Sequence, residues 1–547
     1  MRSAPAALSA LGARTGLRRV LLAYLLFSIV EIATWLAVIL YAFSEGGAVL
    51  TGVAAVAMVL PAAIMVPALG GLGDGMRRGT ALVASYAMVA VATAATAAAL
   101  ASGSTLLVVV IGAALVTVAS SVARPAHFAA MPQLCRTPDE LVSANALSSV
   151  ADGLALFVGP LLAGFVVAWA GAAPVFAWGT VLVSIALLLC LRLGLAAPER
   201  TVTRNGRAWR DALAGVAALS SDRAALALLL VLTIRFVVAG TMDVLAVSFS
   251  VDVLANGASG AGTLLAAIGI GGLLGGFVAG ALAVRRVLSP VVALGGVVIG
   301  LGVASVALTT RLGPASACLL VAGVGGSVLM VAGRTLLQRV TDDRLLARIF
   351  AVQEGTSLLG FAVGAAIAPV LVQQLSPAAA FVPVGVGAVV LTLIGFVLMR
   401  RLDARAVRLP REMALLRRVP FLAVLPEYDL ERLARASSWL EVTTGDVVIR
   451  QGDPGDRFYV VESGEFEVSV DDAPRSHLLT AGDSFGEVAL LRDVPRTATV
   501  RTHVGGRLLT VEPDAFLAAV MGSVDGQAIA AEISAAHISD DVSRPDR

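Results

Sequence analysis

Residues Phe485 to Val500 read FGEVALLRDVPRTATV. A turn, a short helix, a carboxylate, a proline and an arginine stand within sixteen residues. Gly486 lets backbone approach a ligand closely. The segment from Gly486 to Leu490 is expected to begin a short helix, whose free N–H groups favour an anion. Arg496 adds a planar guanidinium fork, the side chain best shaped for a pair of oxyanion oxygens. Glu487 places an acceptor beside these donors, and Pro495 precedes the arginine. The pattern places donors suited to an anionic group together in one short stretch.

Working outward, residues 420–535 are soluble in character. Short alternating stretches, DVVIR, FYVVESG and EFEVSV, are punctuated by Gly445, Gly452, Gly455 and Gly464, a pattern of short strands and turns. A helical pattern precedes them (Pro426 to Leu440) and another follows (Asp514 to Ala536). These residues hold nine Arg and nineteen acids, a net charge of −10. That excludes the basic footprint a nucleic-acid partner needs.

The rest of the chain has the opposite character. Over all 547 residues the hydrophobic content is 58% and the charged content 14%, against about a quarter charged in ordinary soluble domains. Twelve apolar runs approach the roughly 20 residues that cross a bilayer: about 20–43, 49–72, 80–101, 104–123, 146–170, 173–195, 224–250, 260–284, 287–309, 314–333, 349–373 and 377–400. The first run is too long for the core of a cleaved signal peptide. It is expected to stay as a membrane span. Every basic residue is Arg. Arg77, Arg78, Arg136, Arg200, Arg204, Arg207, Arg210, Arg285, Arg286, Arg339, Arg344 and Arg348 fall after even-numbered runs, and only Arg311 follows an odd one. By the positive-inside rule both termini are expected in the cytoplasm of a multi-pass protein of the plasma or inner membrane. Cys135, Cys190 and Cys318 are far apart, and the four His do not cluster with them, so neither a disulfide framework nor a metal site is expected.

The apolar part repeats itself. MPQLCRTPDELVSANAL (Met131 to Leu147) follows the fourth run, and RTLLQRVTDDRLLARIFAV (Arg334 to Val352) follows the tenth. Asp139 and Asp342 lie 203 residues apart, and Asp152 and Glu354, each followed by Gly, repeat at nearly that offset. Two six-helix halves with a site between them is the arrangement of the major facilitator superfamily. GGLGDGMRRG (Gly70 to Gly79) resembles the loop motif of that family between its second and third helices. RPAHFAAMPQL (Arg124 to Leu134) and ELVSANAL (Glu140 to Leu147) resemble its transmembrane secretion effector branch, which includes siderophore and macrolide exporters. The resemblance covers about residues 15–400. It implies a secondary transporter, with export as the expected direction and the first, fourth, seventh and tenth spans lining a cavity.

The opening stretch resembles the phosphate-binding cassette of the cyclic-nucleotide-binding domain. That module occurs in cAMP- and cGMP-dependent kinases and CRP-type transcription factors. The resemblance implies that Phe485, Gly486, Glu487, Ala489, Leu490, Arg496 and Thr497 form the nucleotide site, with Glu487 on the ribose 2′-OH and Arg496 on the phosphate. Thr497 is compatible with both cAMP and cGMP. The DNA-binding half of the CRP-type proteins is expected to be absent.

The expected fold is therefore an α-helical membrane protein of twelve transmembrane helices in two six-helix repeats, plus a C-terminal soluble β-roll domain with flanking helices. The expected segments are a cytoplasmic start (1–19), the membrane body (20–400: halves 20–195 and 224–400 with loop 196–223), a basic linker (401–419), the nucleotide domain (420–536) and a polar tail (537–547). The linker region suits anionic lipid headgroups. Charges within or at the ends of spans are costly and mark function: Glu31, Arg124, Asp152, Arg235, Asp243, Arg334 and Glu354. A Glu31–Arg235 or Asp243–Arg235 pair could carry protons or simply fix helix packing. Asp152 and Glu354 suit gate or capping roles, and Asp74 with Arg78 a conformational latch. GIGGLLGG (Gly269 to Gly276) reads as close helix packing. No nucleophile triad, Walker-type loop or metal cluster points to an enzyme, and no cofactor is expected beyond cAMP or cGMP as regulatory ligand. A transport-inactive receptor is the alternative. A cyclic-nucleotide-gated channel would need a filter such as TVGYG, which the sequence lacks. The sequence leaves the substrate and the oligomeric state open.

Overall fold

The computed structural model describes residues 15–69, 78–135, 138–191, 223–283, 287–340, 343–406, 410–423, 425, 427–470 and 477–521. Two units divide the chain at Arg405/Ala406.

The first unit is helical: α1 (Thr15–Leu69), α2 (Arg78–Ala101), α3 (Leu106–Leu134), α4 (Pro138–Ala170), α5 (Ala173–Cys190), α6 (Arg223–Asp252), α7 (Gly257–Ala283), α8 (Ser289–Ser305), α9 (Leu312–Val340), α10 (Asp343–Gln374) and α11 (Phe381–Ala406). Among the described residues, eleven helices have the length and apolarity of membrane spans. The first is 55 residues long, about 80 Å at 1.5 Å per residue, far beyond the roughly 30 Å of a hydrocarbon core. It breaks at Gly46 and Gly47, where the backbone leaves the helical region and Gly47 takes φ +60°. A side chain with a Cβ is strained there, so the break needs glycine. The first of the eleven helices is thus two rods, over the first two apolar runs, joined at a two-residue break.

These helices are apolar around their circumference. Val91, Leu107, Phe165 and Trp169 all stand exposed on the outer surface, an arrangement suited to hydrocarbon and costly in water. Inside, one apolar cluster joins α6 to α11 and another joins α1 to α5. A third includes Ala33, Phe176, Val247, Ala261 and Ala365, and so is shared by both halves. Glycines bring backbones together. A Cβ added at Gly164 would lie 2.6 Å from the Ala258 carbonyl and 2.8 Å from Gly262 Cα. One added at Gly52 would lie 2.6 Å from the Ala365 carbonyl. Gly275, in the GIGGLLGG stretch, leaves equivalent room for Val324 of α9.

The second unit begins with three short helices, α12 (Pro410–Leu416), α13 (Pro420–Ala423) and α14 (Glu427–Arg435). It continues with strands β1 (Ser437–Val442), β2 (Val447–Ile449), β3 (Phe458–Ser469), β4 (His477–Leu479) and β5 (Ser484–Phe485), helix α15 (Glu487–Arg492), strand β6 (Thr499–Val511) and helix α16 (Pro513–Met521). The six strands form one antiparallel sheet in the order β1-β6-β3-β4, with β2 added to β6 and β5 to β3. β3 and β6 run together from Phe458↔Val511 to Ser469↔Thr499, with register shifts between Val461 and Phe466. Gly464 sits at these shifts with φ +95°, and such bulges bend a long ribbon into a roll.

Successive side chains of a strand point to opposite faces, and β3 buries both. Phe458 and Val460 join Leu430, Leu509 and Phe516 in the helix-side core. Tyr459 and Val461 join Ile449, Phe485 and Leu508 inside the roll. Leu415, Leu416 and Val419 also belong to the helix-side core. The charge count made 401–419 a linker. From Pro410 onward it is instead part of the folded domain, because its apolar residues have a core to enter.

Candidate functional site

The stretch expected to hold the nucleotide, Phe485 to Val500, is built on the β3–β5 pairing, Tyr459↔Phe485. Phe485 stacks on Tyr459, ring centroids 5.0 Å apart and nearly parallel, so it supports the site from the core. Gly486 turns the chain into α15 with φ +90°. A Cβ there would also lie 2.7 Å from Arg496 Nη1 and push that side chain aside. Glu487, Ala489 and Leu490 are buried on α15. Asp493, at φ +52°, ends the helix, and Arg496 comes back under the turn.

The Arg496 side chain is 3% exposed. Its Nη1 donates to the Gly486 carbonyl (2.9 Å), and its Nη2 donates to the Arg457 carbonyl (2.8 Å) and to Asp456 Oδ1 (2.8 Å). The guanidinium lies 5.9 Å from the Tyr459 ring centroid. Burial pushes the Tyr459 phenol above its ordinary value, with the Asp456 charge adding to it, so the ring beneath the cation stays neutral. A guanidinium has five N–H donors, and these contacts engage three. The loop before β3 is tied to the same segment: Gly452 N donates to the Arg496 carbonyl (2.9 Å), and Arg496 N donates to the Asp453 carbonyl (2.8 Å). Thr497 is exposed at the rim. The turn-rich QGDPGD (Gln451 to Asp456) supplies Asp456, an arginine partner absent from the expected site.

The first unit encloses a cavity of about 970 Å³ between its halves. Its wall includes Glu31, Arg124, Asp152, Arg235, Asp243 and Glu354 beside apolar side chains such as Trp35, Phe176 and Phe361. Six of the nine candidate transport residues thus share one space. Arg334 reaches it through Glu354, at 3.9 Å. Asp74 lies outside the described residues, and Arg78 is the first residue of α2.

The pairing differs from expectation. Glu31 binds Arg124, not Arg235: Arg124 Nη2 donates to Glu31, while Nη1 donates to Asp152 Oδ1 (2.9 Å) and to the Tyr24 hydroxyl (2.9 Å). Tyr24 in turn donates to Asp152 (2.9 Å), and Ser28 does so at 3.3 Å. Asp152 is therefore a member of a part-buried cluster with Arg124, Tyr24 and Ser28. Asp243 accepts from Trp35 Nε1 at 2.7 Å, a bond from α1 to α6. Asp243 cannot reach Arg235 along its own helix, because eight residues rise about 12 Å. Tyr24, Ser28, Glu31 and Trp35 follow one another at intervals of four, three and four residues. That is the one-face spacing of a helix, a signal present in the sequence and not read.

The molecule is thus a multi-pass helical membrane protein joined to an antiparallel β-roll. The family model for the Major Facilitator Superfamily matches residues 20–320, more than half of the chain. The model for the cyclic nucleotide-binding domain matches residues 439–523. The chain belongs to the major facilitator superfamily and carries a C-terminal cyclic nucleotide-binding domain.

Among similar proteins, a cAMP-dependent protein kinase regulatory subunit of Blastocladiella emersonii is 45% identical over 92 residues, 16% of this chain and 23% of that one. A cGMP-dependent protein kinase of Eimeria tenella is 44% identical over 78 residues, 14% of this chain and 8% of that one. The chain spans about a quarter of the length of the first curated relatives it matches. The regulatory domain of Toxoplasma gondii PKA, solved with cAMP, is 27% identical and covers 25% of this chain and 56% of its own, with a TM-score of 0.22.

Proposed function

We propose that the protein is a secondary active transporter, an exporter of a small molecule, and that cAMP or cGMP bound to its C-terminal domain on the cytoplasmic side biases alternating access. The observation that carries this reading is the cavity between the halves with the Arg124–Glu31–Asp152 cluster in its wall. Charges inside a membrane protein face a water-filled path or each other, and these line a cavity and pair with one another. Protonation of Glu31 or Asp152 would loosen their hold on Arg124, which gives a proton a way to change how α1, α3 and α4 are tied. Most cavity residues of α4 and α7 lie toward the helix ends that flank even-numbered loops, such as Ala146, Ser149, Gly276 and Phe277. The close approaches at Gly52 and Gly164 lie toward the opposite ends. With even loops in the cytoplasm, this is an inward-facing arrangement.

The regulatory half of the proposal rests on the family match and on Arg496, held under Gly486 with two donors still unengaged. The phosphate takes those donors, and Glu487 takes the ribose 2′-OH. Regulation further requires that nucleotide bind the inward- and outward-facing states with different affinity. A coupling of about 1–3 kcal/mol changes their ratio about 5–150-fold. The test is flux through the full-length protein in proteoliposomes, with a proton gradient and with or without cAMP and cGMP. Nucleotide-dependent flux is expected. Equal rates with nucleotide demonstrably bound would reject regulation, and absence of flux for every substrate tried would favour the transport-inactive receptor.

A further inference from the structure

Each of the four carboxylates in the cavity wall has a partner. Glu31 and Asp152 share Arg124, Asp243 accepts from Trp35, and Glu354 lies 3.9 Å from Arg334. The wall holds two cations among its described residues. Arg124 is used by the two carboxylates, whereas Arg235 has no ion pair among the described residues, and its Nε has no hydrogen-bond partner. Its neighbours do not neutralise it. The guanidinium stands 5.1 Å from the Phe236 ring centroid, and a Cβ built at Gly326 would lie 3.5 Å from Nε. The Arg334 charge repels it. A guanidinium keeps its proton under all ordinary conditions, and an unpaired charge away from bulk water is costly.

We propose that Arg235 is the anion-binding point of the cavity, and that the transported molecule is an amphiphilic organic anion: an apolar or aromatic body bearing one carboxylate, sulfonate or phosphate group. This rests on the transporter reading and adds the substrate class to it. The anionic group takes the donors of Arg235 in the space kept open by Gly326. The body lies against the aromatic wall, where Trp35 and Phe361 meet edge to face at 5.5 Å. Trp35 is held in place by its bond to Asp243, so this wall is oriented before the ligand arrives. The two pieces match the usual composition of a small-molecule site, mostly apolar with few placed polar groups. An uncharged substrate would leave Arg235 without a counter-charge.

The test uses the full-length protein in phosphatidylcholine nanodiscs, where no net-anionic lipid supplies the counter-charge. Two labelled probes of the same body are compared by equilibrium dialysis, 2-naphthalenesulfonate and the neutral 2-naphthalenemethanol, with empty nanodiscs subtracted. The sulfonate is expected to bind at least about tenfold more tightly than the alcohol. Arg235→Gln is expected to abolish that preference while retaining alcohol binding, and Arg235→Lys to keep most of it. Because the guanidinium has no ion pair to lose, only its place beside the Phe236 ring, Arg235→Gln is also expected to unfold at a temperature close to the parent's. Equal binding of the two probes by the parent, or an undiminished preference in Arg235→Gln, would overturn the proposal. Flux of a cation such as ethidium without sulfonate binding would overturn the anion site and leave the transporter reading standing. Sulfonate binding without flux of either probe would do the reverse.

Discussion

Replacing Arg496 by Ala perturbs two things that can be measured separately. In the free protein the side chain holds the Gly486 and Arg457 carbonyls and Asp456. Losing the donors leaves two carbonyls to find water, each at about 1–3 kcal/mol if they fail, so the domain's unfolding temperature falls. In the bound protein the phosphate loses its fixed guanidinium. Removing one partner of a buried, hydrogen-bonded charge pair costs about 2–5 kcal/mol, or about 30- to 5,000-fold in Kd. Arg496→Lys retains the charge without the planar fork and falls between the parent and Ala. Isothermal titration of the full-length protein with cAMP and cGMP reads the affinity, and thermal unfolding without ligand reads the stability. An Arg496→Ala protein that unfolds at its lower temperature yet binds within twofold of the parent would refute the role given to this residue. The arginine would then be a brace for the turn and nothing more.

Asp456→Asn should change nucleotide affinity by less than about 1 kcal/mol, because the carboxylate is 68% exposed; a larger gain in the same titration would mean that Asp456 competes with the phosphate. Arg124→Gln strands Glu31 and Asp152, and should cost stability toward the low end of the roughly 3–5 kcal/mol seen for broken buried pairs, since the three side chains are 23–36% exposed. Proteoliposome flux should be lost with it. Adding Glu31→Gln and Asp152→Asn should restore the unfolding temperature without restoring flux, a non-additivity expected of groups in one network. Gly164→Val drives a side chain against Ala258 and Gly262, and should lower stability by about 1–3 kcal/mol, read as a shift in thermal midpoint.

Much of this molecule is written in local pattern. The apolar runs are long enough to declare themselves, and the cassette is a contiguous motif whose turn, helix and arginine appear where the residue types place them. What is not local was harder to read. Which carboxylate takes Arg124 depends on how α1, α3 and α4 cross, and the repeat offset that suggested Glu31 with Arg235 carries no information about those crossings. Asp456 is forty residues from the arginine it meets. Only the fold of β3 against β5 brings them together. The segment before Pro420 was read through its arginines, and charge counting passed over Leu415, Leu416 and Val419, whose burial gives that segment to the domain. The break at Gly46–Gly47 is legible as the gap between the first two apolar runs.

The glycine contacts between the halves have a kinetic consequence. Where Gly164 meets Gly262 there are no side chains on either surface at the point of touch. When two helices with interlocked side chains slide, each rotamer must leave one socket and settle in another, and every such exchange adds to the barrier. Backbone resting on backbone has no sockets to vacate. The helices can roll over one another there like smooth journals in a bearing, and the resistance to movement lies elsewhere, in side chains such as Leu273 seated over Gly153 and in the Trp35–Asp243 hydrogen bond between α1 and α6.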